Sequence, residues 1–249
     1  MLCSGERIRP PAIPTLRKAK GEGNETGARD VEDGKTLPSA GKLDMMESTT
    51  LQGRHIRLEP LTLSHAEALA AAASSDRDLY RWSPVPQAAN EATRYIETAL
   101  DWQNAGTAVP FAIIRNADNK VIGSTRFWKI EHWAWPEGHP SHGRGCPDAC
   151  EIGYTWLASS AIRTGANTEA KLLMLRHAFE VWQVVRVCLH TDARNLRSRT
   201  AIERIGAQFE GILRAHRMAA DFIPRDSCRY SIVAAEWPSV KQKLIALLG

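Results

Sequence analysis

No run of apolar residues in this chain of 249 residues approaches the roughly 20 that a helix needs to cross a bilayer. The first 44 residues have no apolar core of the kind that marks a secretory leader. Cysteine is scarce: there are five, an odd number without framework spacing, so no disulfide scaffold is expected and a reducing cytoplasm is the expected home. Charge of one sign is also lacking. The formal net charge is +4, with the basic residues scattered rather than gathered, which argues against nucleic acid as a partner and leaves a mild attraction for anions. The chain contains neither the G-x-G-x-x-G fingerprint of dinucleotide folds nor a Gly-Lys-Ser/Thr phosphate loop, and no internal repeat. A membrane protein, a secreted disulfide scaffold and a nucleotide hydrolase are thereby set aside.

What is present is enough apolar residue, 43%, for a real core. The chain divides near residue 45. Met1 to Asp44 is rich in Gly, Pro, Lys, Arg and Glu, and buries too little to offset its ordering entropy, so it reads as a disordered extension. Met45 and Met46 offer an alternative translation start, which would make that extension foreign to the native protein. Beyond it, Arg54 to Leu58 reads as a strand and Leu63 to Ala73 as a helix; a helix capped by Asn90 runs to about Asn104. Phe111 to Arg115 and Lys120 to Lys129 read as a hairpin, and Phe209 to His216 and Cys228 to Ala235 as closing strands before a helix opened by Pro238. The expectation is one mixed α/β domain over residues 45–249, a mostly antiparallel sheet flanked by helices.

Two landmarks carry the chemistry. Cys150 to Leu157 reads as a strand, and Lys171 to Trp182 as an amphipathic helix with Leu172, Leu175, Phe179 and Trp182 on one face. The turn between them, Thr164 to Ala170 with Gly165, aims unpaired N–H groups and a helix dipole at one spot, an anion site; an ordinary strand-to-helix turn is the alternative. Then Val184 to Thr191 alternates like a strand, Asn195 suits an N-cap, and Gly206 suits a helix stop.

The pieces E-I-G-Y-x-W-L, T-G-x-N-T-E-A, D-x-R-N-x-x-S and I-G-A-x-F-E-G, in this order, resemble the GNAT superfamily of N-acetyltransferases, in its RimJ/RimL-like branch, over roughly Leu51 to Leu248. The resemblance implies acetyl-coenzyme A as acyl donor and a primary amine, either a small molecule or a protein N-terminus, as acceptor. It implies a pyrophosphate grip from the main chain of Arg163, Thr164, Gly165, Ala166, Asn167 and Thr168, and thioester polarisation by backbone N–H groups near Trp156 and Leu157. Asn195 would bind the pantetheine arm, and Ser198 would be proton donor to the leaving thiolate. Two positions depart from the family pattern: Ile162 stands where Gln or Arg is usual, and Asn167 where a small residue is. Ile202 stands where many relatives carry Tyr, which leaves Ser198 as the donor. Capping is the alternative for Ser198, and for Asn195 capping and cofactor contact are compatible. Glu151 is the expected base, with a solvated strand-end carboxylate as its alternative; Glu169 is expected only to complement the helix dipole.

Residues 131–150 match neither a regular element nor a piece of the family pattern. Three His and two Cys fall within 19 positions there, but their spacing matches no structural zinc signature, so no metal is expected. The loop's Trp133 and Trp135 are instead expected to shape the acceptor pocket. A non-catalytic acyl-CoA-binding or interaction module is the second function class on this fold. The expected assembly is a monomer or a homodimer.

Overall fold

A computed structural model describes residues 49–73, 78–219 and 221–249; the proposed extension, residues 1–44, lies outside them. Eight strands form one sheet: β1 (Leu51–Gln52), β2 (Ile56–Pro60), β3 (Ala108–Arg115), β4 (Lys120–Glu131), β5 (Ala149–Leu157), β6 (Arg186–Asp192), β7 (Gln208–Met218) and β8 (Pro224–Val233). Their order is β1-β2-β3-β4-β5-β6-β8-β7, and every neighbouring pair is antiparallel except β5 with β6. The helices are α1 (Ala66–Ala73), α2 (Ala89–Asn104), α3 (Ala166–Arg176), α4 (Leu196–Arg204) and α5 (Trp237–Ala246). The mixed α/β architecture expected from the sequence is therefore the one observed.

The core divides between two sides of the sheet. On one, α3 and α5 bury Leu172, Leu175, Trp237 and Leu244 with Phe111, Phe127, Val187 and Ile232 of the strands. On the other, α1 and α2 bury Leu69, Ala92, Ile96 and Ala99 against Ala112 and Ile114. Alternating side chains of central strands serve both sides, which is why β3 is apolar almost throughout.

Three local details differ from the sequence expectation. The strand expected from Arg54 begins instead at Ile56, as β2, and the N–H groups of Arg54, His55 and Ile56 go to Glu169. Asn90 does not cap α2: the cap position is Ala88, and Asn90 Oδ1 accepts from the N–H of Glu91 one turn-step inside. The helix expected from Lys171 starts earlier, at Ala166, and its last turn widens to π over His177–Val181.

Two features of β5 position the site. Between Gly153, which faces Arg126, and Trp156, which faces Ser124, β5 holds two residues against the single Thr125 of β4. Tyr154, one of the two, has φ 53°, a left-handed bulge residue. The second feature is brevity of pairing: β5 meets β6 only at Ala149–Arg186, Cys150–Val187 and Glu151–Cys188. β6 stays paired to β8 along its full length, so beyond Glu151 the two parallel strands part and leave a wedge.

Candidate active site

The wedge opens into a cavity of about 700 Å³ lined along β5 from Glu151 to Leu157 and along β6 by Leu189, His190 and Thr191. One end lies at the start of α3. Here Thr164 Oγ1 donates to the carbonyl of Ala161 at 2.7 Å and accepts from the N–H of Ala166 at 3.2 Å. Among the described residues, the N–H groups of Gly165, Asn167 and Thr168 meet no acceptor. Three free amides at a helix start, with the dipole behind them, make an anion cradle. The glycine is not what bends the chain: Gly165 has φ −67°, whereas Arg163 has φ 62° and carries the left-handed turn.

Of the residues expected to hold an anion, Arg163, Thr164 and Asn167 line the cavity, while Gly165, Ala166 and Thr168 do not. The Thr168 hydroxyl accepts from Arg204 Nη2 at 2.9 Å, which brings a cavity-lining guanidinium to the same turn. Arg204 escaped the sequence reading because its helix position looks like any solvated basic residue.

The main chain beyond the bulge is divided in its direction. The carbonyl of Trp156 turns toward Gly123 of β4, where a Cβ on Gly123 would lie only 2.1 Å from it. The carbonyl of Leu157 faces the other way and accepts from Tyr80 Oη at 3.0 Å. N–H and C=O of one strand residue point to the same side, so Leu157 presents its main chain to the wedge and Trp156 presents its own to β4. Across the wedge, Asn195 caps α4 through Oδ1, which accepts from the N–H of Ser198 at 3.1 Å. The Ser198 hydroxyl lines the cavity and makes no hydrogen bond among the described residues.

Glu151 is 3% exposed, so it is not the solvated strand-end carboxylate that the sequence left open. Its Oε2 accepts from Arg217 Nη2 at 3.2 Å and lies 3.0 Å from His190 Nδ1, a contact off the line of a good hydrogen bond. Burial works against its ionised form, but His190 and Arg217 outweigh burial and hold its carboxyl below the usual carboxylate range. Glu169 departs from expectation most. Rather than merely complementing the dipole, its carboxylate accepts the N–H groups of Arg54, His55 and Ile56 at 2.7, 2.8 and 2.9 Å.

Lys171 is the residue the sequence hid. It lies four residues after Asn167 on the same face of α3, lines the cavity, and is 5% exposed. Its Nζ donates to Thr155 Oγ1 at 2.7 Å, Thr155 lies 2.7 Å from Thr125 Oγ1, and Thr125 reaches Met174 Sδ at 3.5 Å. Desolvation pushes its amine down to about 7, so much of it is uncharged near neutral pH.

Trp133 and Trp135 are not brought to the cavity. Asp148 gathers their loop instead: it accepts from the N–H of Trp133 and from Trp135 Nε1, each at 2.7 Å, and pairs with Arg144 at 2.9 Å. His139 stacks on Trp135 at 4.2 Å and His142 Nδ1 bonds the carbonyl of Trp135. Among the described residues no three His, Cys, Asp or Glu side chains converge as a metal site would require. No helix there is long and apolar enough to cross a membrane.

The geometry has close relatives. The chain is 30% identical to a GCN5-related N-acetyltransferase from Brucella melitensis, covering 82% of this chain and 86% of that one, with a TM-score of 0.69. It is 34% identical to a T. thermophilus protein provisionally described as an acetyltransferase, covering 80% and 97%, with a TM-score of 0.65. It shares its fold with Mycobacterium smegmatis RimJ, solved in complex with CoA-disulfide, at 23% identity, 81% and 96% coverage and a TM-score of 0.67. No curated protein matches the chain. The family model for the acetyltransferase (GNAT) domain matches residues 55–208, and the chain therefore belongs to the GNAT acetyltransferases.

Proposed function

We propose that this protein transfers an acetyl group from acetyl-coenzyme A to a primary amine by direct attack within a ternary complex. The observation that carries the reading is the wedge between β5 and β6, with free amides at one end and a buried carboxylate at the other. When bound, acetyl-coenzyme A supplies an acyl thioester, a good electrophile with a thiolate leaving group.

The residues present suit such a guest. Gly165, Asn167 and Thr168 offer N–H groups to a diphosphate, and Arg163 and Arg204 offer compensating charge. Leu157 directs an N–H at the wedge, where it polarises a carbonyl. Asn195, with Oδ1 spent on its cap, keeps its amide nitrogen for the pantetheine arm. Ser198 delivers a proton to the departing sulfur. Glu151 draws the acceptor's ammonium and takes its proton, directly or through water, with His190 extending the same acid–base pair. Because His190 and Arg217 keep Glu151 ionised, it works as an electrostatic guide more than as a strong base. Among the described residues no cysteine lines the cavity, which favours direct attack over a covalent acyl-enzyme.

An amine panel that follows thiol release from acetyl-coenzyme A tests the reading. Release that depends on one class of amine supports it. Calorimetric heat from acetyl-coenzyme A with no turnover on any amine would leave a non-catalytic acyl-CoA-binding module, and absence of both heat and turnover would overturn the site itself.

A further inference from the structure

Building on acetyl transfer at this site, we infer that the acceptor amine also bears a carboxylate, held by Arg225 with Arg217 beside Glu151. The wedge's acceptor end has an unequal charge inventory. Among the described residues Glu151 is the only carboxylate lining the cavity, and it is already engaged by Arg217. Arg225 lines the same cavity, half-buried, with no carboxylate in ion-pair distance among the described residues and with its Nε buried and without a partner. The nearby acid Asp192 has both oxygens occupied by Arg194: Oδ1 takes its N–H and Nε at 2.9 and 3.0 Å, and Oδ2 takes Nη2 at 2.7 Å.

The two arginines also stand directly opposite one another, as Cα partners on β7 and β8. Like charges across an antiparallel pair repel, so the arrangement favours an anion between or above them. Burial and the Arg217 charge both disfavour the cationic form of Arg225, the pull that a bound anion would relieve. Trp128 lies under Arg217, 4.6 Å from its guanidinium carbon, and steadies that plane while leaving its edge to donate.

A planar guanidinium presents paired N–H groups in the spacing of a carboxylate's oxygens. Phosphate would suit it too, but the coenzyme's phosphates belong at the opposite end, with Arg163 and Arg204. Glu151 and Arg225 thus form a two-signed receptor: the carboxylate meets an ammonium and the guanidinium meets an acid. That pairing selects an amino-acid-like acceptor over a simple alkylamine or a polyamine, whose second positive charge would face Arg225.

The test compares glycine, serine, methionine and glutamate with their own carboxamides, reading thiol release and calorimetric heat on protein preloaded with coenzyme A. A second arm compares Ala-Glu-amide with Ala-Gln-amide, to separate a free amino acid from a peptide whose acid lies on a side chain. Wild-type protein is expected to favour the acid in one arm by at least about tenfold in kcat/KM, the scale of one charge-assisted pair. Arg225→Met should bring that ratio toward one, and Arg225→Lys should restore part of it, with coenzyme A affinity unaltered in both. Carboxamides or neutral amines used as well as acids would overturn the carboxylate subsite and leave acetyl transfer standing. Heat from acids but not carboxamides, without turnover, would support the subsite and overturn transfer. No heat and no turnover from any acid would overturn the subsite, and so would an unchanged ratio in Arg225→Met.

Discussion

Glu169 ties the N–H groups of Arg54, His55 and Ile56 to the first turn of α3, joining the start of the sheet to the anion cradle. Three charge-assisted bonds to otherwise unsatisfied backbone make it structural. Glu169→Ala should lower unfolding free energy by about 3 kcal/mol in denaturant titration, and Glu169→Gln by less. Gly53→Ala should also destabilise, because its Cβ would come within 2.7 Å of the Glu169 carboxyl carbon and of the Ile56 carbonyl oxygen. Ser198 sits at a different level: its N–H serves the cap, while its hydroxyl faces the cavity. Ser198→Ala should therefore keep the thermal midpoint and coenzyme affinity while lowering kcat by roughly 100-fold. An unchanged kcat across pH would remove the acid role. Both residues occupy helix-start positions, where sequence suggests the same dipole or capping roles. Only the three-dimensional neighbours tell a clamp from a hydroxyl left open.

At the scale of elements, the turn into α3 does not depend on its glycine. Gly165 has an ordinary helical φ, and a methyl there would meet only the flexible end of Leu248, at 3.3 Å. Gly165→Ala should accordingly shift stability by less than about 1 kcal/mol and preserve heat of coenzyme A binding in calorimetry. Gly206 behaves oppositely. It ends α4 with φ 99°, and a Cβ would press on Val240 of α5 at 3.2 Å, so Gly206→Ala should lower the midpoint clearly. Periodicity found the strand before the turn and the helix after it. It did not find the bulge at Tyr154, which arises from pairing with β4 and puts the left-handed φ on Tyr154 rather than on the neighbouring Gly153. Asn90 shows the reverse error: a good capping residue, two positions too deep to cap.

For the whole molecule, the sharpest consequence of burial is Lys171. Its folded-state amine titrates near 7 against 10.5 for the ordinary side chain, so between those values the unfolded chain binds the extra proton. Stability should rise with pH across that window, by up to about 1.4 kcal/mol per pH unit, and should be least where Lys171 is forced to charge. Subtracting the pH profile of Lys171→Met from that of the wild type isolates this slope; parallel profiles would show that the amine is solvated. By itself, the sequence determined the alternating strands, the amphipathic helices, the cap at Asn195 and the turn that opens α3, because each follows from spacings of a few residues along one segment. Lys171 beneath Thr155, His190 and Arg217 around Glu151, and Arg225 without a partner were decided only by tertiary structure. These contacts join residues up to 66 positions apart, as Glu151 and Arg217 are, and depend on where two parallel strands stop pairing. Trp133 and Trp135 teach the same lesson in reverse: an aromatic loop close to the site in sequence was drawn aside by Asp148, whose hydrogen bonds no local pattern specifies.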